Sequence, residues 1–485
     1  MNTQKYIDFC QGNYGRKIAY TGVSEITSDN VVKVLGKAIG VHNFNRPFIK
    51  YLYQYYKGDQ PINYKRKTFR PEINNKICEN HALEVVRFKA SQTYGEPIQY
   101  VSKKKDDLVN KGVDILNDYM DDAHAQARNI ELGVYQSAIG TAYKAITKEE
   151  DWTKDNGKVP FGIFIPDPMN TFIIYSLVTG KEMMSVQCLK DEEENNYYLC
   201  YTRKNFFKIR NGKVIDSGIN GFDEIPVKEY PNNADRLSDI EICITIFDSI
   251  NNMQSSRMDS VDQFVQTLLL FKNCEVDEDA IRALNEIGAL QIKDTSNSTK
   301  SEIKFLTAEL NQEQSQVAKE DLYRNMLIVE GMPDRQQNTG GDTGQAVYLR
   351  NGWDFAESRA KLDEPFIIEA EKKIAQVVLN IIKKTSQDVN ITVRDFDVKI
   401  TRNSTDNMLV KAQALDYLIK NKIHPLIAIT TCGLFGDPEK VWTMSQPYME
   451  RLYQDVDVES QKQKAEDLLN NMAIDNNKKT EVSEE

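Results

Sequence analysis

The sequence predicts an α+β fold with a mainly helical body, and three observations carry that expectation. Apolar residues recur at three- and four-residue spacing through 43–140 and again through much of 238–453, which is the helical period. Between them, 141–230 changes to short runs rich in Val, Ile, Tyr and Phe separated by turn dipeptides, the pattern of a small antiparallel sheet. Two long helical runs then flank a compact insert and end at Gly331-Met-Pro-Asp-Arg-Gln-Gln-Asn-Thr-Gly-Gly-Asp-Thr-Gly344, a break whose glycines free the backbone and which lacks a nucleotide-binding fingerprint.

Along the chain, 43–56 places Phe44, Phe48, Ile49, Leu52, Tyr53 and Tyr56 on one helical face, and Lys57-Gly58-Asp59-Gln60-Pro61 ends it. A second helix reads from 77 to 94, with Ala82, Val85, Val86 and Ala90 in phase and Gly95-Glu96-Pro97 behind them; others read over 109–120 and 123–140. The β-rich stretch resolves into 161–165, 171–175, 183–189, 197–202 and 206–210, with Asn156-Gly157, Asn211-Gly212 and Asn220-Gly221 as turns. Ser238-Asp239-Ile240-Glu241 opens a helix expected to reach 272 along the seam Phe247, Ile250, Met258, Val261, Val265 and Leu268. The insert reads as a short helix 276–288, a strand 289–293, a polar turn 295–300 and a strand 302–306, after which helix resumes over 311–330. Beyond the glycine break, 345–384 is helical with Pro365 inside it; proline removes a hydrogen bond and crowds the preceding turn, so a bend is expected near 362–366. A strand over 389–400 and a helical cap over 407–453, broken at 433–438, precede a polar, acidic tail from 456.

Composition excludes several function classes. The chain of 485 residues is ordinary in its 40% hydrophobic and 27% charged content, so it is expected to be globular. The densest apolar run, from Val265 to Phe271, is too short to span a bilayer, and the first residues lack the apolar core of a signal peptide; a protein made and used in the cytoplasm, with no membrane partner, is expected. Seven cysteines (Cys10, Cys78, Cys188, Cys200, Cys243, Cys274, Cys432) stand apart without a CxxC pair, and His42, His81, His124 and His424 are scattered, so reduced thiols, no metal, no cofactor and no catalytic residue are expected. Runs of adjacent acids, Glu192-Glu193-Glu194 and Asp277-Glu278-Asp279, describe solvent-facing charge rather than an acid and base held apart by environment. Net charge is −11, divided unevenly: residues 1–120 hold 19 Lys+Arg against 12 Asp+Glu, a net +7, and the remainder carries −18. Such a chain is a poor static DNA binder, although weak attraction suits a surface past which DNA slides.

Several local patterns stand in one order. Tyr55-Tyr56-Lys57-Gly58-Asp59-Gln60-Pro61-Ile62 is followed by Asn75, by Asn80, and by Tyr94-Gly95-Glu96-Pro97-Ile98-Gln99-Tyr100. After the β region come Ile225-Pro226-Val227-Lys228-Glu229-Tyr230-Pro231-Asn232-Asn233, Ser238-Asp239 and Asp248-Ser249-Ile250-Asn251, then Phe305-Leu306-Thr307 and, past the glycines, Thr343-Gly344-Gln345-Ala346-Val347. In these residues, over roughly 43–378, the chain resembles the portal proteins of tailed bacteriophages, in the branch of long-tailed phages of Gram-positive bacteria. The resemblance implies a homo-oligomeric ring, typically of twelve subunits, at one capsid vertex of the virion, assembled in the host cytoplasm and conducting double-stranded DNA. Implied partners are terminase, major capsid protein, scaffolding protein and a head–tail adaptor. By position it implies a wing with a helical and a β part (1–235), stem helices 236–272 and 307–331 flanking a βα clip (273–306), and a tunnel loop (332–343). A bent wing helix and return strand (344–402), a helical crown (403–455) and a polar tail (456–485) complete the implied layout.

On that resemblance the candidate channel residues are Asp334, Arg335, Gln336, Gln337, Asn338, Gly340, Gly341 and Asp342 of the loop, with Lys319 and Arg324 of the second stem helix. Arg335, repeated around a ring, would set cations around a polyanion that carries about one charge per 1.7 Å of duplex. Two other readings weigh against this. A phosphate cradle would need GxxxxGK[ST], and no Lys follows Gly344, which also counts against a packaging ATPase; a non-viral helical scaffold would share the helices without the channel. The basic runs Lys65-Arg66-Lys67 and Lys103-Lys104-Lys105 are expected as solvated loops, or as contacts with capsid protein or DNA.

Overall fold

Alternation between helical and β periods produces an α+β molecule. The computed structural model describes residue 6 and residues 14–68, 70–103, 106–149, 152, 159–265, 268–272, 302–306, 312–334, 352–385, 389–402, 408–435, 438 and 440–448. Two compact units are present, Met1–Asn403 and Ser404–Glu485.

The first unit begins with strand β1 (Ala19–Thr21) and helix α1 (Val31–Tyr56). Helix α1 starts twelve residues before the expected 43, because Val31, Val34, Leu35 and Ala38 already keep helical spacing while Gly36 and Gly40 sit on open sides and dilute the pattern. Its first half packs on a sheet with Phe172, Ile174, Met184 and Val186; its second half, through Phe48, Leu52 and Tyr55, enters a helical core. That core includes Val85 and Val86 of α2 (His81–Tyr94) and Ile139 of α4 (Ala125–Ile139). Each fully buried aliphatic or aromatic side chain there contributes about 1.5–3 kcal/mol.

Strand β2 (Gln99–Ser102) and helix α3 (Asp107–Asp122) lie between α2 and α4. The β region holds β3 (Thr141–Lys148), β4 (Phe161–Phe164), β5 (Thr171–Ser176), β6 (Glu182–Lys190), β7 (Asn196–Tyr201), β8 (Asn205–Arg210), β9 (Lys213–Ile219) and β10 (Val227–Pro231). It forms not one small antiparallel sheet but two: six strands in the order β1-β5-β6-β7-β8-β9, and three in the order β10-β3-β4. Among the described strands, the one parallel pair is β1 on β5. Asn211 and Gly212, at φ of 49° and 72°, make the expected hairpin turn between β8 and β9; Asn156-Gly157 lies outside the described residues.

Helix α5 (Asp239–Val265) ends seven residues before the expected 272. The apolar run beyond it becomes β11 (Leu268–Lys272), pairing antiparallel with β12 (Glu302–Leu306); a short unbroken apolar run has no period to separate strand from helix. The insert elements expected over 276–300 lie outside the described residues. Helix α6 (Gln312–Glu330) follows, and then α7 (Trp353–Thr385), which contains Pro365. Of the strand expected over 389–400 only β13 (Phe396–Lys399) forms, antiparallel to β2, because the Asp395 carboxylate accepts from the Thr392 amide and hydroxyl and turns the chain first.

In the second unit, α8 (Met408–Lys420) and α9 (Pro425–Cys432) are helical, as is 440–448; Gly433 at φ 57° closes α9.

Buried charges tie α7 to the sheets. Lys144 of β3 and Glu371 of α7 meet at 2.7 Å with neither exposed beyond 1%. Tyr100 donates to one Glu371 oxygen at 2.7 Å and Tyr230 to the other at 2.5 Å. Burial pushes this carboxyl up, but Lys144 and the two phenols outweigh it and hold Glu371 below the ordinary carboxylate range. Glu371→Leu strands the Lys144 ammonium and two hydroxyls, so thermal or denaturant unfolding should show a loss of about 3–5 kcal/mol. Lys144→Met added to Glu371→Leu should recover a large part of it.

Candidate functional site: the long helix pair and the root of the glycine loop

Helix α5 carries Asn251, Ser255 and Asp259 at four-residue spacing, all buried. Against them runs an extended segment in which alternate residues meet successive helical turns. The Glu79 amide donates to Asn251 (2.9 Å), the Ile77 amide to Ser255 (3.0 Å) and the Asn75 amide to Asp259 (2.6 Å). Two extended residues advance about 6.6 Å and four helical residues about 6 Å, so the two periods match. This is why α2 starts at His81 and not at the expected 77: residues 75–79 are held extended by α5, and Asn80 caps the helix through its side chain.

The same seam gathers the residues that stood out in sequence. Gln60 donates to Asn80 (2.9 Å) and accepts from Asn251 (2.6 Å), and Tyr55 donates to Asp248 (2.8 Å). Asn75 also donates to Asp262 at 2.7 Å. Lys65 and Lys67 pair with Asp259 at 3.1 and 2.8 Å, so this basic run is no plain solvated loop; two of its cations fasten 65–75 to α5. Burial would raise the Asp259 carboxyl, but Lys67, the Asn75 amide and Lys65 bring it down to about 2. Lys103 of the second run pairs with Asp397 at 2.8 Å.

Helices α5 and α6 run antiparallel, since later residues of α6 meet earlier residues of α5: Gln316 accepts from Arg257 (2.5 Å), Lys319 donates to Gln254 (3.3 Å), and Glu330 lies by Cys243. Lys319 also pairs with Glu79 at 2.5 Å, so its ammonium joins three segments. Arg324 is more open, with a side chain 60% exposed and Nε 3.9 Å from Asp334. Beside Lys319, His81 lies between Glu79 (3.1 Å) and Glu84 (2.9 Å), while Tyr323 donates to Glu84 (2.9 Å). Burial would lower the imidazole, but the two carboxylates raise it to about 8.

At its end α6 closes in a hydrogen-bonded knot: the Gly331 amide donates to Ile328 (3.2 Å), the Met332 amide to Leu327 (2.8 Å), and Gly331 takes φ 66°. Buried Met332 packs in the core that also holds Ala356 of α7, and a Cβ on Gly352 would lie 3.9 Å from Pro333 Cα. The chain therefore leaves and re-enters the body at one place. Of the loop candidates, Asp334 is at this root, with a side chain 16% exposed. Arg335, Gln336, Gln337, Asn338, Gly340, Gly341 and Asp342 lie outside the described residues.

This antiparallel helix pair has a strand ladder at one end and a loop root at the other. The family model described as phage portal protein, SPP1 Gp6-like, matches residues 36–437. The chain belongs to that phage portal family. Among solved structures, the chain is similar to one from the neck of a native GTA particle computed with C12 symmetry, with 11% identity, a TM-score of 0.45, and coverage of 73% of this chain and 89% of that one. Comparison with curated proteins finds no match. The portal family is a structural one; among the described residues no group of three His, Cys, Asp or Glu is arranged to hold a metal, and no described helix is long and apolar enough to cross a membrane.

Sequence reasoning missed the polar ladder on α5 and the His81 cluster. The ladder had a signal, Asn251, Ser255 and Asp259 at i, i+4 and i+8; the cluster had none, because Glu79, Lys319 and Tyr323 come together only through the fold. His81 gives a pH test. Its folded pKa is raised, so its stabilisation is complete below about 6.5 and is lost as pH rises through about 8. Unfolding measured across pH 6 to 9 should show a decline that is smaller in His81→Ala by on the order of 2 kcal/mol.

Proposed function

We propose that this portal-family chain forms a ring-shaped channel at one capsid vertex of a phage virion, through which double-stranded DNA is packaged and ejected. The observation that carries the reading is the antiparallel pair α5–α6 with a loop returning to its own starting point, placed inside the family match. In the ring, typically of twelve subunits, α5 and α6 are the stem and 332–343 the tunnel loop. The insert 273–306 is the clip that docks terminase, and later the head–tail adaptor, while 1–235 with 344–402 forms the wing against capsid and scaffolding proteins. Residues 403–455 form the crown. ATP hydrolysis belongs to the terminase, and the portal works by geometry.

The channel chemistry follows from weak attraction. Net charge is negative, and Lys65, Lys67, Lys103 and Lys319 are engaged in ion pairs, which weakens the pull of these four cations on DNA. Arg335 adds a salt-screened contact, and Gly340 and Gly341 let copies of the loop differ around the ring while DNA of mismatched symmetry slides past. Ring assembly by Arg335→Ala should match the parent while packaging efficiency or DNA retention changes in an in vitro packaging assay. Gly340→Pro with Gly341→Pro should impair packaging more severely by stiffening the loop. Parental packaging by both variants would contradict the assignment.

A further inference from the structure

The last turn of α6 holds an acid in an unusual setting. Glu330 is fully buried, and neither carboxyl oxygen has an N–H or O–H partner among the described residues. Two cations are at hand, yet both serve the backbone: Lys89 of α2 donates to the Glu330 carbonyl at 2.6 Å, and Arg359 of α7 donates to the Val329 carbonyl. The carboxyl is left facing the Cys243 thiol and the Asp239 carboxylate of α5, with Asp363 of α7 in the same group. Asp239 has its own donors, Ser137 at 2.5 Å and Asn232 at 3.1 Å.

From this arrangement we infer that Glu330 makes the α6–loop joint proton-operated: the carboxyl is neutral while the turn Leu327–Met332 is closed against α2, α5 and α7, and its ionisation opens that turn. A neutral carboxyl tolerates a site where, among the described residues, only the weak Cys243 S–H faces it, whereas a carboxylate there lacks any N–H or O–H donor among those residues and stands beside the Asp239 carboxyl group. The Met332-to-Leu327 hydrogen bond closes the turn that carries the group, and opening it frees that turn. Burial first, then Asp239, push the Glu330 pKa up to about 8, against the pull of Lys89, the Cys243 thiol and Arg359. Burial and Asp239 likewise raise Asp363 to about 6. The closed joint binds the proton more tightly than the open one, so closure is favoured at low pH and weakens as pH rises from the ordinary carboxyl range through about 8. This inference concerns the joint alone and holds whether or not the loop lines a DNA channel.

Amide hydrogen exchange of the full-length protein, corrected for intrinsic chemistry, tests it at Gly331 and Met332. Between pH 7 and pH 9 their protection should fall by about tenfold, a window in which Asp363 has already titrated. In Glu330→Gln it should stay level. Amides near Tyr323 report the separate His81 titration in the same sample. Lys89→Met removes a charge that holds the Glu330 transition down, so loosening should level off at higher pH than in the parent. Level protection in the parent, a slope retained by Glu330→Gln, or an unmoved transition in Lys89→Met would each overturn the inference.

Discussion

A buried helix start must find partners for its unpaired amides inside the protein, and the start of α5 is where this molecule meets that constraint. The Ser238 hydroxyl accepts from the Ile240 amide at 3.0 Å, and the Glu241 carboxylate accepts from the Ser238 amide at 3.0 Å, a reciprocal cap. Glu241 also accepts from Arg16 and Tyr6, which brings the beginning of the chain to this point, and Ser238 donates to the carbonyls that end α4. Four turns along, the Asn251–Ser255–Asp259 ladder binds the extended segment before α2. Because both the end and one face of α5 are satisfied in this way, α5 can serve as the fixed element on which α6 and the loop root are mounted.

Buried acids elsewhere obey the same rule, and they mark where separate layers join. Glu371 fastens α7 to β3 and β10. Glu229 of β10 accepts from Arg236 through both oxygens, at 2.7 and 2.9 Å, and from Thr141 at 2.8 Å. Both are held below the ordinary carboxylate range against the upward pull of burial, by Lys144 at Glu371 and by Arg236 at Glu229. Glu330 departs from the rule, and it does so at the one described turn from which the glycine loop springs. The contrast separates a rigid body from a joint.

How much of this was legible depended on whether a signal is local. Helical and strand periods are local, so most of the helices and the five β runs could be read, and the α+β class with them. The motif residues Tyr55, Gln60, Asn75, Asn80, Asp248 and Asn251 were legible as a pattern, and the fold places them on one seam along α5. What escaped was set by partners distant in sequence. Ala19–Thr21 is a strand because β5 lies beside it, Leu268–Lys272 because β12 does, and residues 75–79 stay extended because α5 fits their repeat. The basic run at Lys65 and Lys67 looked solvated because nothing near it in sequence reveals Asp259. Of the candidate channel residues, Lys319, Arg324 and Asp334 could be placed, the first as a tie between segments and the other two as neighbours at the end of α6.

A three-dimensional reconstruction of the purified assembly by electron cryomicroscopy tests the central claim most directly. The account predicts a closed ring in which α5 and α6 of each copy surround an axial channel and residues 332–343 point toward its axis. A monomer in solution, or a ring that carries those residues on its outer rim, would contradict it.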